Sequence, residues 1–131
     1  MKRILLISVL MLLGLAAMAQ EQRCPVKITD VRSIGTKVSV LFTNTSQLEI
    51  SRSEFVVALL DAAGGEHYLP LIESRRRLKD GKNGTASVSA PEAPQIPAGH
   101  AKAYVLEVTF ADGSGWSDDG AHACSLTAVQ E

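Results

Sequence analysis

The chain has 131 residues, with 13 Lys and Arg against 14 Asp and Glu and a formal net charge of −1 at pH 7. That length holds one ordinary domain, and the charge balance excludes a generic nucleic-acid binder, which would carry clustered Lys and Arg in excess. Apolar residues make up 46% of the chain, and 15 of them fall within the first 19 positions. The remainder has the apolar share of a globular domain, too high for a disordered one.

Chain order begins with Met1-Lys2-Arg3 and an apolar run from Ile4 to Ala19, interrupted only by Ser8 and Gly14. A basic start, an apolar middle and a small-residue end at Ala17-Met18-Ala19 make the three parts of a secretory signal peptide. The run falls short of the ~20 residues needed to cross a bilayer. Cleavage is therefore expected between Ala19 and Gln20, giving a signal peptide at 1–19, a mature domain at 20–131 and no membrane span afterwards. Cys24 follows Glu21-Gln22-Arg23, which is the wrong context for lipid attachment. The expected location is secreted or periplasmic. All three Met residues leave with the signal, which removes any Met-rich copper site. Two Cys in an exported chain, Cys24 and Cys124, point first to one disulfide; two free thiols are the alternative.

The mature part alternates short apolar runs with turn clusters, the pattern of an all-β sandwich. Val26 to Val31 and Val38 to Thr43 make the first two strands, the second with Val38, Val40 and Phe42 on one face. Phe55 to Leu60 makes a third, closed by the glycines at 64 and 65. His67 to Ile72 makes a fourth, which Pro70 assigns to an edge. A weak strand, Thr85 to Ser89, precedes the longest, Ala103 to Phe110, where Tyr104, Leu106, Val108 and Phe110 share one face. A turn at Ala111-Asp112-Gly113-Ser114-Gly115 leads to a last strand around Trp116, which is expected to plug the core. That makes about seven antiparallel strands.

One segment pulls the other way. Ser51 and Glu54 are spaced as a capping box, and Ile50 and Phe55 as a hydrophobic staple, the opening of a helix from Arg52 to Ala63. Against it stands Phe55-Val56-Val57, a β-favouring run inside an otherwise alternating pattern. Strand is the expectation here.

The segments Val38-x-Val40-x-Phe42-x-Asn44-Thr45-Ser46, Phe55-x-Val57-x-Leu59-Leu60-Asp61-x-x-Gly64 and Ile96-Pro97-Ala98-Gly99 resemble the FxLYD-type domains and related exported immunoglobulin-like sandwiches of bacteria. Phe55, Leu59 and Asp61 match that motif, whereas Leu60 stands where a Tyr is usual. The resemblance implies an immunoglobulin-like sandwich and no common reaction. In such a sandwich the first and last strands can run side by side, so that Cys24 at the start of one and Cys124 at the end of the other would meet.

Few constellations carry chemistry. His67, His100 and His122, with Asp118 and Asp119 near the last, lack the short ligand spacings of zinc sites. Asp112 has no acidic ligand at the twelfth position of a calcium loop. Asp112-Gly113-Ser114-Gly115 is not a nucleophile elbow, and a Cys124/His122 thiolate pair would need the thiol that a disulfide consumes. Asp118 and Asp119, adjacent in an extended chain, would face opposite ways. The run Arg75-Arg76-Arg77 with Lys79 and Lys82 either touches an anionic surface or is a solvated loop balanced by Glu73 and Asp80. Asn44-Thr45-Ser46 and Asn83-Gly84-Thr85 have the form of glycan acceptors.

The expectation is an exported, non-enzymatic module with no cofactor, acting by contact with an unidentified protein or surface partner and not with nucleic acid. An enzyme inhibitor or chaperone-like accessory is the alternative, and a small hydrolase or metal-binding protein the third.

Overall fold

Alternating apolar and polar side chains can bury only one face of each strand, so the chain closes as two sheets sharing one core. The computed structural model describes residues 24–91 and 100–129; the expected signal peptide and its cleavage point at Ala19 and Gln20 lie outside them. The described strands are β1 (Val26–Ile34), β2 (Lys37–Asn44), β3 (Ile50–Leu60), β4 (Glu66–Tyr68), β5 (Ile72–Ser74), β6 (Asn83–Ser89), β7 (His100–Phe110), β8 (Gly115–Ser117) and β9 (Ser125–Val129). The smaller sheet has the order β1-β2-β6. In the larger, β3 and β7 form the centre, with β4 and β5 on the outer side of β3 and β8 and β9 on the outer side of β7. Every pairing is antiparallel. The all-β, antiparallel expectation holds.

The core is built from the inward rows: Val26, Ile28, Val31, Val38, Val40 and Phe42 on one side, and Ile50, Phe55, Val57, Ile72, Val105 and Val108 on the other. The Phe42 and Phe55 rings meet across the sandwich with centroids 4.7 Å apart. Phe42 also dictates a glycine: a Cβ at Gly84 would lie 2.8 Å from its ring and 3.2 Å from Leu78.

Three details depart from the sequence expectations. The contested segment is a strand, as expected, but it begins at Ile50 rather than Phe55, because its capping-box groups have better partners. Ser51 donates to the Thr109 carbonyl at 3.1 Å, Glu54 pairs with Arg52, and Phe55 is fully buried. The single strand expected over His67 to Ile72 is two short ones, with Pro70 in the gap, where its missing N–H breaks no ladder. With this split and β9 beyond Cys124, nine strands replace the expected seven among the described residues.

The third departure sets the site. Tyr104 and Leu106 do not share a face with Val108 and Phe110. Glu107 lies opposite Glu54 and Val105 opposite Phe55, leaving Leu106 as an extra residue in β7. This bulge shifts the alternation by one, so that Ala101, Ala103 and Val105 point inward on one side of it and Val108 and Phe110 on the other. Tyr104 is thereby turned to the outer face.

Candidate functional site

Beside the Leu106 bulge, β8 pairs with residues 107–109 of β7 and β9 with residues 100–104. Residues 118–124 bridge the gap between them. The loop is pinned at both ends, by Asp118 N donating to the Leu106 carbonyl at 2.9 Å and by Val105 N donating to the Cys124 carbonyl at 2.9 Å. Cys124 is itself bonded to Cys24, with Cα atoms 5.5 Å apart. The disulfide is present, but its expected setting needs correction. Cys124 precedes the final strand rather than closing it, and β1 and β9 belong to different sheets, so the bridge ties sheet to sheet.

Within this loop the Asp118 side chain is 4% exposed. It accepts from His122 N at 3.0 Å through Oδ1 and meets His122 Nδ1 at 2.7 Å through Oδ2. An ionised carboxylate only accepts, so Nδ1–H is the donor in this bond. His122 has φ +53°, a left-handed conformation that costs a side-chain-bearing residue about 1 kcal/mol or more. The bonds to Asp118 hold it there. The imidazole stacks on the Tyr104 ring, with centroids 3.8 Å apart and an interplanar angle of 23°. The result is a rigid, half-exposed aromatic pair.

Strand register shows what surrounds the pair on the outer face. Tyr104 lies opposite Val56, and Ala58 lies opposite both Tyr68 and Lys102. Tyr68 is 62% exposed, and its hydroxyl donates to Glu66 at 2.7 Å, which holds its pKa above the ordinary phenol value. One row further, Glu73, Glu54 and Glu107 stand in line across β5, β3 and β7. Arg52 bonds both Glu54 and Glu73, and Arg75 adds a second bond to Glu73 at 2.8 Å. These arginines hold the Glu73 carboxyl below its usual range. The face is thus apolar and aromatic in the middle and charged at one end.

The other candidates stay apart. His67 pairs with Asp61 on the β3–β4 turn at 2.8 Å, while His100 begins β7. Asp119 turns away from Asp118 and accepts from Ala121 N. Among the described residues no group of three His, Cys, Asp or Glu could hold a metal ion. Ser114 bonds Asp112 within its own turn. In the basic run, Arg75 is tied to Glu73, and Arg77 lies 3.9 Å from Glu49. Trp116 is half-buried and packs against the core. The part played by Tyr104 was missed because it rests on the bulge. The one signal available was the break in phase between Ala101-x-Ala103-x-Val105 and Val108-x-Phe110.

No family model matches the sequence, and no curated protein matches it. Among solved structures, the chain is similar to a GH3 beta-glucosidase of Bifidobacterium adolescentis, with a TM-score of 0.39 and 15% identity over 80% of this chain and 17% of that one. It is also similar to a beta-glucosidase of Kluyveromyces marxianus, with a TM-score of 0.34 and 13% identity over 79% and 14% of the two chains. The chain spans less than a fifth of either.

Proposed function

We propose that the chain is an exported, non-enzymatic β-sandwich module that works by contact with another protein or a cell-surface component. The contact is made by the outer face of the larger sheet. The observation that carries this is the Tyr104–His122 stack. A strained backbone, a buried carboxylate and a disulfide-anchored loop all serve to hold two aromatic rings half-exposed. Rigid aromatic groups are what contact surfaces use as anchors, since they bury large area at little entropic cost. The exposed Tyr68 and the half-buried Val56 extend the same face. Export is supported by the Cys24–Cys124 bridge, which persists in an oxidising compartment, and by the signal-like residues 1–19.

The test compares the mature protein with Tyr104→Ala and with Ser39→Ala, a control on the smaller sheet, as baits against envelope extract from the native host. Specific capture that Tyr104→Ala loses and Ser39→Ala retains is the expected result. Equal capture by all three baits sinks the assignment to this face. Intact mass of the exported protein should begin at Gln20.

A further inference from the structure

The two edges of the smaller sheet are built differently. The β1 edge is guarded: it carries Lys27 and an ion pair between Asp30 and Arg32 at 2.9 Å, and it bulges at Thr29. Charges and bulges of this kind keep foreign strands off an edge. β6, with sequence Asn-Gly-Thr-Ala-Ser-Val-Ser, has no charge and no proline, and it pairs with β2 over seven consecutive residues without a bulge.

Hydrogen bonds at the two ends of this ladder set its phase. Asn44 N donates to the Lys82 carbonyl, and Ala90 N to the Thr36 carbonyl. In an antiparallel pair such bonds recur at every second residue. Gly84, Ala86 and Val88 therefore bond to β2, while Asn83, Thr85, Ser87 and Ser89 turn their N–H and C=O groups outward. These four residues are all exposed, and no backbone partner for them is found among the described residues. A groove of about 340 Å³ lined by Lys37, Ser87, Val88 and Ser89 lies open beside the strand.

We infer that β6 is a dimerisation edge, paired antiparallel with β6 of a second copy of this chain about a two-fold axis at Ala86. The choice of a second copy rests on self-complementarity. An axis at Ala86 sets Asn83 opposite the other copy's Ser89 and Thr85 opposite its Ser87. All four outward residues are then used on each side, giving eight backbone hydrogen bonds. On the inner face Gly84 meets Val88 and Ala86 meets Ala86, so no two bulky side chains oppose. On the outer face only hydroxyls and amides meet, and no like charges do. The pairing would make one six-stranded sheet from two three-stranded ones. It is independent of the contact face on the larger sheet.

The oxidised protein is examined by sedimentation and light scattering over a concentration series, together with Thr85→Pro and Ser87→Lys. Thr85→Pro removes an outward N–H and leaves the β2 ladder whole. Ser87→Lys places two like charges near the axis. The wild type should dimerise reversibly, with Thr85, Ser87 and Ser89 amides gaining hydrogen-exchange protection as concentration rises. Each variant should raise the dissociation constant by about tenfold or more, with an unchanged circular dichroism spectrum. If Thr85→Pro fails to fold, Ser87→Lys decides. A wild type that stays monomeric, or a dimer that both folded variants leave intact, overturns the inference. So does protection of those amides only when an extended foreign peptide is added.

Discussion

The side-chain amide of Asn44, at the end of β2, donates to the backbone carbonyl of Leu78 at 2.8 Å and so ties the basic loop to the core. Its second amide hydrogen goes to the Leu48 carbonyl at 2.7 Å, and its oxygen accepts from Ser46 N and Oγ. Asn44 is 0% exposed. Every hydrogen-bonding position of this buried amide is filled, and two loops are held together by it. The acceptor form of Asn44-Thr45-Ser46 is therefore closed in the folded protein.

Asn44→Ala removes the four hydrogen bonds of a buried amide, each worth about 1 kcal/mol net, while the Leu78 carbonyl keeps Ile50 N and the Leu48 carbonyl keeps Ser46 Oγ. Denaturant unfolding should show a loss of about 3 kcal/mol. Asn44→Asp should also destabilise, because a carboxylate cannot donate to either carbonyl. A variant as stable as the wild type would remove Asn44 from this role.

Glu54 is 6% exposed and stands between Glu73 and Glu107, so Arg52 is its compensation. Removing one partner of a buried ion pair costs about 3–5 kcal/mol. Arg52 is partly exposed, which lowers the expected loss for Arg52→Ala to about 2 kcal/mol. Glu54→Gln in the Arg52→Ala background should recover part of that loss. If it recovers nothing, the loss has another origin.

The disulfide closes a loop with a sequence separation of 100. Chain entropy assigns such a loop roughly 4–5 kcal/mol, a large share of the ~5–15 kcal/mol that stabilises a domain. Cys24→Ser should accordingly lower Tm by at least 10 °C, on the order expected for a small domain. The oxidised wild type, once denatured, should take up no alkylating agent; uptake of two equivalents would mean that the bridge is not formed.

Acid should weaken the fold in a defined window. Asp61 is held below its ordinary pKa by the bond from His67, Glu73 by Arg75 and then Arg52, and Asp112 by Ser114. A depressed folded value means stability that is complete above the unfolded pKa and lost as pH falls through the folded one. The ordinary values are 3.8 for Asp and 4.5 for Glu. Tm should therefore stay level down to about pH 5 and fall below about pH 4. Equal Tm at pH 3 and pH 6 would show that these bonds contribute nothing.

Much of the architecture was legible in the sequence, because period-two alternation and turn residues are local properties. Val38-x-Val40-x-Phe42 could bury one face in only one way, and Pro70 could not sit inside a ladder. Even the contested segment at Ile50 to Leu60 carried its β-branched pair, Val56-Val57. Two Cys in one chain had one intramolecular pairing. What the sequence could not decide were properties set by a neighbouring strand. The bulge at Leu106 exists because β7 must meet β3 in two registers at once, and no residue near Leu106 announces that. It turned Tyr104 outward, under His122, and made the candidate face. Likewise Ser51 opens a good helix cap until the Thr109 carbonyl offers its hydroxyl a partner across the sheet. Whether β6 is an edge depends on which strands lie beside it. Local chemistry fixes what each segment can be; only the packed sheets decide which side it shows.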